Sequence, residues 1–409
     1  MTDMQMRHHF LRTLTLLTGL LYAITLQASD SIRVSLLTFE PGNAIYELEG
    51  HSALRLQSPE VGDITVNWGL FDFSSPNFVY RFVKGETDYM CGMSPTDRTL
   101  YQYRCQERQV TEQELNLTDA QARRVIDMCL VEASPGHNVY RYNYVKDNCA
   151  LRVLNLLEKA IGDTITLGET PAEIADSPTF RREMKYYHRN YPWYQFGIDL
   201  ALGSGIDYAI STRETAFAPV VLEQLAATAT LHDQSGRDIP LVRSTKVIVE
   251  GRPGGVVLPP TPFYESPLFV CWTVFVLTCL ITLADFRRRH ISRWFDTLLY
   301  IVMGIAGLVL TFLIFVSVHE ATSPNWLYLW LNPLSLVAAV AIWLKKWKII
   351  VFYYQIVNFV ALLALCIIGA TGIQTLNAAF YPLIFSAMMR AAVYIRQCKN
   401  HDAPHASHQ

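Results

Sequence analysis

Five apolar runs follow one another in the last third of the chain, and each is close to the length of a membrane-spanning helix. About 20 apolar residues of helix are needed to cross a hydrocarbon core roughly 30 Å thick. Inside lipid every backbone polar group needs an internal partner, so such runs form helices. The sequence therefore predicts an all-α transmembrane domain of five spans over residues 266–396. The runs cover residues 267–285, 296–317, 326–344, 349–370 and 376–395.

Basic residues follow the first, third and fifth runs. Arginines occupy positions 287–289 after the first run, lysines follow the third run, and Arg396 follows the fifth. The segments after the second and fourth runs, 317–325 and 369–375, contain neither lysine nor arginine. The positive-inside rule then places residues 397–409 in the cytoplasm as a tail, and everything before the first run outside.

The part of the chain before these runs divides into three segments. Residues 1–28 are predicted to be a signal sequence, because two arginines precede a short apolar run that ends near Ala28. An uncleaved first membrane helix is the alternative, although the run is short for it. Residues 29–234 have the mixed polarity of a soluble domain. Residues 235–265, rich in glycine, proline and polar groups, are predicted to be a tether.

The soluble domain is predicted to contain both strands and helices. Alternating apolar and polar residues, bounded by turn-forming residues, predict strands. Thr118 followed by Gln121 matches a capping box and predicts one helix, and a second helix is expected from Cys149 to Gly162. The net charge of -2 comes without a concentrated basic face, which argues against a nucleic-acid partner. The predicted strands cover residues 34–37, 52–56 and 64–71.

Cys149 stands at the start of the second helix, directly after Asn148. A helix N-terminus has unpaired N–H groups and a partial positive charge, which favour a thiolate. The same N–H groups could hold the oxyanion of a tetrahedral intermediate. A nucleophilic thiol also needs a base within hydrogen-bond reach. His51, at the start of a predicted strand, is the strongest candidate for that base.

Asn67 is the candidate for a third member of this site. If the strands 52–56 and 64–71 pair across their turn, the Asn67 amide can accept from the His51 ring and select its tautomer, as in a Cys-His-Asn site. The alternative is that Cys149 is a buried structural thiol and His51 a strand histidine without a catalytic role. Spacing alone does not separate these two interpretations.

The other cysteines and histidines give no metal site. Their spacing matches no zinc motif, so no metal or other cofactor is expected. Cys91 and Cys105 flank one loop in what is predicted to be an oxidising compartment. They either form a disulfide or remain free thiols.

A second set of candidate residues lies among the apolar runs. His319, Thr322, Asn325 and Asn332 follow the second run on the predicted outer side. Polar groups at membrane depth are costly and usually face a cavity or a partner. These four are therefore predicted to bind substrate through phosphate or glycerol oxygens. Arg390, inside the fifth run, either pairs internally, lines a polar pocket or reaches toward the cytoplasmic face.

These motifs, taken together, resemble one family over nearly all of the chain after residue 28. The chain is similar to Lnb-type lipoprotein N-acyltransferases. The resemblance implies a circularly permuted papain-like domain, akin to lecithin:retinol acyltransferase, in which the histidine strand precedes the cysteine helix. It implies catalytic roles for His51 and Cys149 only. The motifs are Gly50-His51-Ser52-Ala53-Leu54-Arg55, Asn67-Trp68-Gly69, Asp147-Asn148-Cys149, Pro192-Trp193 and the His319 loop with Asn332-Pro333-Leu334.

The resemblance also implies a reaction and a location. A fatty acyl chain would pass from a membrane phospholipid, through a Cys149 thioester, to the N-terminal amine of a diacylglyceryl-cysteine lipoprotein. The enzyme would lie in the bacterial inner membrane with its soluble domain in the periplasm. Two other functions remain open: a membrane-tethered cysteine peptidase or amidase acting on the cell wall, and a non-enzymatic envelope scaffold.

Overall fold

A seven-stranded antiparallel sheet forms the centre of the N-terminal domain. The computed structural model describes residues 32–162, 165–172, 178–232 and 236–402, so the predicted signal sequence lies outside the described residues. The strands are β1 (Arg33–Phe39), β2 (His51–Ser58), β3 (Gly62–Leu70), β4 (Asp88–Pro95), β5 (Val110–Leu115), β6 (Val139–Arg141), β7 (Ile165–Thr166), β8 (Thr230–His232), β9 (Asp238–Pro240) and β10 (Val242–Val249). The large sheet has the order β10-β5-β1-β2-β3-β4-β6, and a small sheet has the order β7-β8-β9.

Helices cover this sheet and then make up the C-terminal domain. Those of the first domain are α1 (Phe78–Lys84), α2 (Thr96–Cys105), α3 (Asp119–Glu132), α4 (Cys149–Ile161), α5 (Phe180–Tyr187), α6 (Pro192–Ala201), α7 (Thr212–Thr215) and α8 (Pro219–Thr228). Those of the second domain are α9 (Pro267–Arg288), α10 (Arg293–Phe315), α11 (Leu334–Ala341), α12 (Lys348–Thr371) and α13 (Phe380–Asp402). This arrangement confirms the predicted α+β domain followed by a helical domain.

The hairpin of β2 and β3 is the one that the sequence predicts. Its strands pair with Ala53 opposite Asn67 and Leu54 opposite Val66. Leu54, Val66 and Trp68 are fully buried and belong to the core cluster that also contains the start of α4. The three predicted strands are therefore present with slightly different bounds, and the hairpin brings His51 and Asn67 close to each other.

Helix α4 begins at Cys149 because Asn148 caps it. The Asn148 side chain accepts a hydrogen bond of 3.0 Å from the N–H of Leu151, which satisfies one of the free donors of the first turn. The helix ends at Gly162, whose φ of 89° is open to glycine and costly for other residues. The predicted bounds of this helix are confirmed, as is the capping box at Thr118.

The segment predicted to be a tether is partly a strand. Within residues 235–265, β10 pairs with β5, with Val242 opposite Leu115 and Val249 opposite Val110. Because β10 lies at the edge of the sheet, half of its side chains are exposed, and Arg243, Thr245 and Lys246 among them are polar, which gives its sequence the appearance of a linker. The prediction of a tether over the whole segment is therefore wrong.

Three helices among the described residues are long and apolar enough to cross a membrane, namely Pro267–Arg288, Arg293–Phe315 and Lys345–Thr371. The third apolar run does not form the single continuous helix that the sequence predicts. It consists of a 3-10 turn, Trp326–Leu329, followed by the 8-residue helix α11. Pro333 explains the break, because it has no N–H to donate and disfavours helical backbone at the residue before it.

The fifth apolar run forms α13, which has 23 residues and continues past residue 396 into the predicted tail. Arg390 is buried near the middle of this helix. Its guanidinium donates to Asp296 at 2.5 Å and to Asp285 at 2.8 Å. A further bond of 3.2 Å reaches the Thr282 hydroxyl. Of the three alternatives for Arg390, internal pairing is correct, and the ion pairs join α13 to α9 and α10.

Replacing Arg390 with methionine is expected to destabilise the helical domain. Asp285 and Asp296 would remain buried without a counter-charge, and removing one partner of a buried ion pair costs about 3–5 kcal/mol. The thermal unfolding of detergent-solubilised protein should shift to clearly lower temperature. Arg396→Met, on an exposed position of the same helix, is the control; it removes no buried ion pair, only the contact of the guanidinium with the Phe286 ring at 4.8 Å, and should change much less. Equal unfolding temperatures for the two variants would contradict this role of the ion pairs.

The two domains are in direct contact through the segment that follows α10. The N–H groups of Gly203 and Ser204 donate to carbonyls of Ala321 and Pro324, each at 2.8 Å. The N–H of Val318 donates to the end of α1 at 2.9 Å. These backbone hydrogen bonds attach the N-terminal domain to the outer end of α10.

Helix α6 makes a second contact between the domains. Its Phe196 ring lies 4.9 Å from the Phe380 ring at the start of α13. The Asn377 side chain donates to Asp199 at 2.8 Å, and Asp199 also accepts from Arg181 at 2.9 Å. Two separate contacts therefore hold the N-terminal domain on the membrane helices.

Candidate active site

The Cys149 thiol lies at the N-terminus of α4 and is 6% exposed. The preceding residue is held firmly, because Asn148 also donates to the carbonyls of Tyr144 at 2.9 Å and Phe217 at 2.7 Å. The backbone N–H groups of Ser52 and Ala150 lie close to the Cys149 sulfur and lower the pKa of the thiol. The strand and the helix together fix the position of the thiol.

His51 opens β2 and lies between Cys149 and Asn67. Its ring lies close enough to the Cys149 thiol for each group to shift the pKa of the other, and its Nε2 lies 3.2 Å from Asn67 Oδ1. Because an amide oxygen only accepts, Nε2 carries a proton and Nδ1 is left to face the thiol. The contact between His51 and Asn67 that strand pairing predicts is present. The catalytic roles of the three residues remain a prediction.

The surroundings lower the pKa of the Cys149 thiol and raise the pKa of the His51 imidazole. Burial alone would raise the pKa of Cys149, but the charge and hydrogen bond of His51 and the two backbone N–H groups lower it below its ordinary value. Burial alone would lower the pKa of His51, but the Cys149 charge and the hydrogen bonds to Cys149 and Asn67 raise it. These shifts favour a thiolate beside an imidazolium, and the thiolate is the nucleophilic form of cysteine.

Gly69 leaves room for an aromatic ring beside the thiol. Its φ is +88°, and a Cβ at this position would lie 3.2 Å from the Tyr142 ring and 4.0 Å from the Cβ of Cys149. A side chain here would therefore be strained and would press on Tyr142. The sequence places Gly69 in a family motif, and the structure supplies the steric reason.

A stack of side chains lies behind His51. The Phe39 ring stacks on the imidazole at 5.5 Å and on Tyr103 at 4.0 Å. The Arg108 guanidinium lies over the Tyr103 ring and forms an ion pair with Glu47 at 2.7 Å. Its positive charge opposes the rise in the pKa of His51. These residues carry no spacing signal in the sequence, so sequence reasoning missed them.

A buried carboxylate connects the two candidate catalytic segments. Glu49, two residues before His51, accepts from the Tyr144 hydroxyl and lies 2.7 Å from Nε2 of His188. Tyr144 precedes Cys149 by five residues. The network therefore ties the start of β2 to the segment that leads into α4. Only the position of Glu49 beside the Gly-His motif could have indicated this from the sequence.

Two of the four residues predicted to bind substrate are buried and bonded to the protein itself. The Thr322 hydroxyl donates to the carbonyl of Leu313 at 2.8 Å. The Asn325 amide donates to the carbonyl of Leu200 at 3.0 Å, and its oxygen accepts from Gln374 at 3.1 Å. Both side chains hold the segment after α10 against its neighbours.

The other two residues, His319 and Asn332, lie at different depths relative to the outer end of α10. His319 Nε2 is 2.9 Å from the Phe82 carbonyl of α1, at the contact between the domains. The Asn332 backbone packs on Gly307, where an added Cβ would lie 2.4 Å from it. Gly307 lies about eight residues inside the outer end of α10, which is roughly 12 Å of helix. The four residues therefore do not form the single cluster that was expected, and substrate binding by them remains a prediction.

Cys91 and Cys105 are both free thiols in the structure. Cys91 is buried in β4, whereas Cys105 is exposed at the end of α2. The disulfide alternative is therefore wrong for this structure. Among the described residues no group of three His, Cys, Asp or Glu side chains is arranged to hold a metal ion.

Asn67→Ala is expected to lower the rate of Cys149 acylation less than loss of His51 would. The imidazole would lose the hydrogen bond that selects its tautomer, but it would stay next to the thiol, and one such bond is worth about 1–1.5 kcal/mol, or roughly tenfold in rate. Single-turnover acylation measures the effect. Asn155→Ala, on the α4 helix, is a control, since its side chain accepts from Arg213 instead. Wild-type rates in Asn67→Ala would remove Asn67 from the site.

An α+β domain with a thiol–imidazole pair, docked on membrane-spanning helices, defines a membrane protein with a cysteine–histidine site. Comparison with protein families identifies the family within this class. Residues 25–182 match the Lnb N-terminal periplasmic domain, and residues 261–401 match the Lnb transmembrane domain. The chain belongs to the Lnb family, as its motifs indicate, and its N-terminal domain is periplasmic. Comparisons with curated proteins and with solved structures gave no match.

Proposed function

We propose that the protein is a cysteine-dependent lipoprotein N-acyltransferase. The observation that carries the proposal is the position of the Cys149–His51 pair beside the membrane domain. Lys146, three residues before Cys149, pairs with Glu320 of the segment after α10 at 2.7 Å. Ala321 of the same segment packs against the core cluster that contains Cys149. A nucleophile at this place is close to the outer surface of a bilayer, where an ester of a phospholipid would be found.

In the first half of the reaction, the Cys149 thiolate attacks the carbonyl carbon of a phospholipid ester. The sulfur–carbon bond forms, the ester carbon–oxygen bond breaks, and the imidazolium of His51 gives its proton to the departing lysophospholipid. The free N–H groups of the first turn of α4 stabilise the oxyanion that forms between these events. The product is a thioester on Cys149 beside a neutral His51.

In the second half, the N-terminal amine of a diacylglyceryl-cysteine lipoprotein attacks the thioester. His51 takes the amine proton, the carbon–sulfur bond breaks, and Cys149 leaves as the thiolate. An α-amine with an ordinary pKa near ~8 is partly neutral at physiological pH, which makes it a competent nucleophile. The acceptor and donor both have lipid anchors, which fits an enzyme in the inner membrane with its C-terminus in the cytoplasm.

Intact-mass analysis tests this function. Full-length protein incubated with phospholipid vesicles should gain the mass of one fatty acyl chain on the peptide that contains Cys149. A synthetic diacylglyceryl peptide with a free N-terminus is then added as acceptor. The acyl mass should disappear from Cys149 and appear on this synthetic peptide. A protein that never carries an acyl chain would refute the proposal.

The second candidate is a membrane-attached cysteine peptidase or amidase, because a Cys-His-Asn arrangement also cleaves amides. It predicts cleavage of cell-wall peptides and no fatty-acyl mass on Cys149. A non-enzymatic scaffold predicts neither, and its function would survive alkylation of the thiol. The extensive contact between the domains favours the transferase, because a peptidase acting on the wall has no need to be fixed against lipid.

A further inference from the structure

We propose that a row of aromatic side chains, the aromatic track, holds the acyl chain while it is attached to Cys149. This inference rests on the proposed function and adds the binding site for the apolar part of the donor. The aromatic track consists of six residues that touch one another in sequence from the thiol toward the membrane. They are Tyr142, Tyr89, Phe71, Phe73, Phe78 and Phe82.

The aromatic track begins at the candidate catalytic thiol. Tyr142 borders Gly69 together with Cys149, as the small distances around Gly69 show. Its ring stacks on Tyr89 at 4.5 Å, and Tyr89 lies 5.2 Å from Phe71. A chain attached to the sulfur therefore meets an aromatic surface within its first few carbons.

The aromatic track ends at the membrane domain. Phe71 lies 5.8 Å from Phe78, and Phe78 lies 5.9 Å from Phe82, one turn further along α1. The ring of Phe82 contacts the His319 ring, and the His319 imidazole is also hydrogen-bonded to the Phe82 carbonyl. Tyr80 of the same helix lies 5.9 Å from Phe312 of α10. Helix α1 thus continues the surface of a membrane-spanning helix toward the active site.

The exposure and the charges of this region fit an apolar occupant. Phe73 is 62% exposed and Phe82 is 47% exposed, and both lie against Phe78, so they belong to one exposed apolar patch. The cations on α1 are already paired, Arg81 with Asp88 and Lys84 with a neighbouring glutamate. A phosphate headgroup would therefore find few free charges here, whereas a hydrocarbon chain would cover the exposed rings.

Acyl esters of increasing chain length test the proposal with full-length protein in detergent micelles. The probes are p-nitrophenyl acetate, hexanoate and decanoate. Each releases p-nitrophenolate as the ester carbon–oxygen bond breaks and the Cys149 thioester forms. Each methylene that is buried against an apolar wall favours the reaction about fourfold, so the wild-type kcat/KM for acylation should rise with chain length.

Phe73→Ser should lower kcat/KM for the decanoate about tenfold more than kcat/KM for the acetate, and Phe73→Leu should keep most of the wild-type preference. Tyr101→Ser is the matched control, because Tyr101 is 67% exposed on α2 and lies outside the aromatic track.

An unchanged chain-length preference in Phe73→Ser would overturn the inference, as would an equal loss with all three esters. A wild-type protein that forms thioester from phospholipid but shows no chain-length preference overturns this inference alone. Failure to form any thioester overturns the proposed function as well.

Discussion

Replacement of Cys149 by alanine is expected to abolish lipoprotein N-acylation while the protein still inserts in the membrane. The thiol is the only group at the N-terminus of α4 that can form the acyl intermediate, and its removal eliminates the covalent step. Cys149→Ser should also be inactive, because His51 would have to deprotonate a far less acidic hydroxyl. The measurement is the mass of lipoprotein N-termini in cells that depend on the variant.

Two controls make this result interpretable. Cys105→Ala removes another free thiol, exposed at the end of α2, and should have wild-type activity. The unfolding temperature of Cys149→Ala should stay close to that of the wild type, since a small buried side chain is replaced by a slightly smaller one. Near-normal N-acylation by Cys149→Ala would exclude the proposed mechanism.

His51→Ala is expected to reduce acylation by roughly 10²–10⁴-fold, the usual contribution of a general acid–base group. It should also change how Cys149 reacts with iodoacetamide. In the wild type the imidazolium lowers the pKa of Cys149, so alkylation should remain fast at pH values below the ordinary thiol pKa. Without that charge, the effect of burial, which raises the pKa of Cys149, is less opposed. The inflection of the pH–rate profile should therefore move to higher pH.

The matched control for this variant is His232→Ala. His232 lies on β8 and pairs with Asp238 at 2.8 Å in an exposed position. Its alkylation profile should overlay the wild type. An inflection in His51→Ala that does not move would show that the helix N-terminus alone sets the acidity of the thiol, and His51 would then be left as a proton carrier only.

Local chemistry explains why the candidate site could be predicted. Asn148 caps the helix that begins at Cys149, and a capping residue followed by an apolar stripe is readable in sequence. The hairpin that places His51 near Asn67 follows from two short alternating runs and a tight turn. Each of these signals involves residues that are less than 20 positions apart. The pairing of His51 with Cys149 was a hypothesis from the chemistry of a nucleophilic thiol, and the family resemblance implied the same two residues.

Long-range pairing and edge positions could not be predicted in the same way. Arg390 finds its partners about 100 positions earlier, at Asp285 and Asp296, and no periodicity connects them. Helix α11 is short because a proline interrupts a run whose hydropathy resembles that of a span. The aromatic track joins segments before and after β4, so its continuity appears only when the sheet is assembled.

Strand β10 determines where the periplasmic domain can be cut. A fragment that ends at residue 234 would lack the strand that covers β5, and an open, unpaired edge promotes association between molecules. Such a fragment is expected to aggregate even though it contains Cys149, His51 and Asn67. A fragment that continues through Val249 keeps the seventh strand. The poor solubility of a shorter fragment would then reflect a missing sheet edge and would say nothing about the need for lipid.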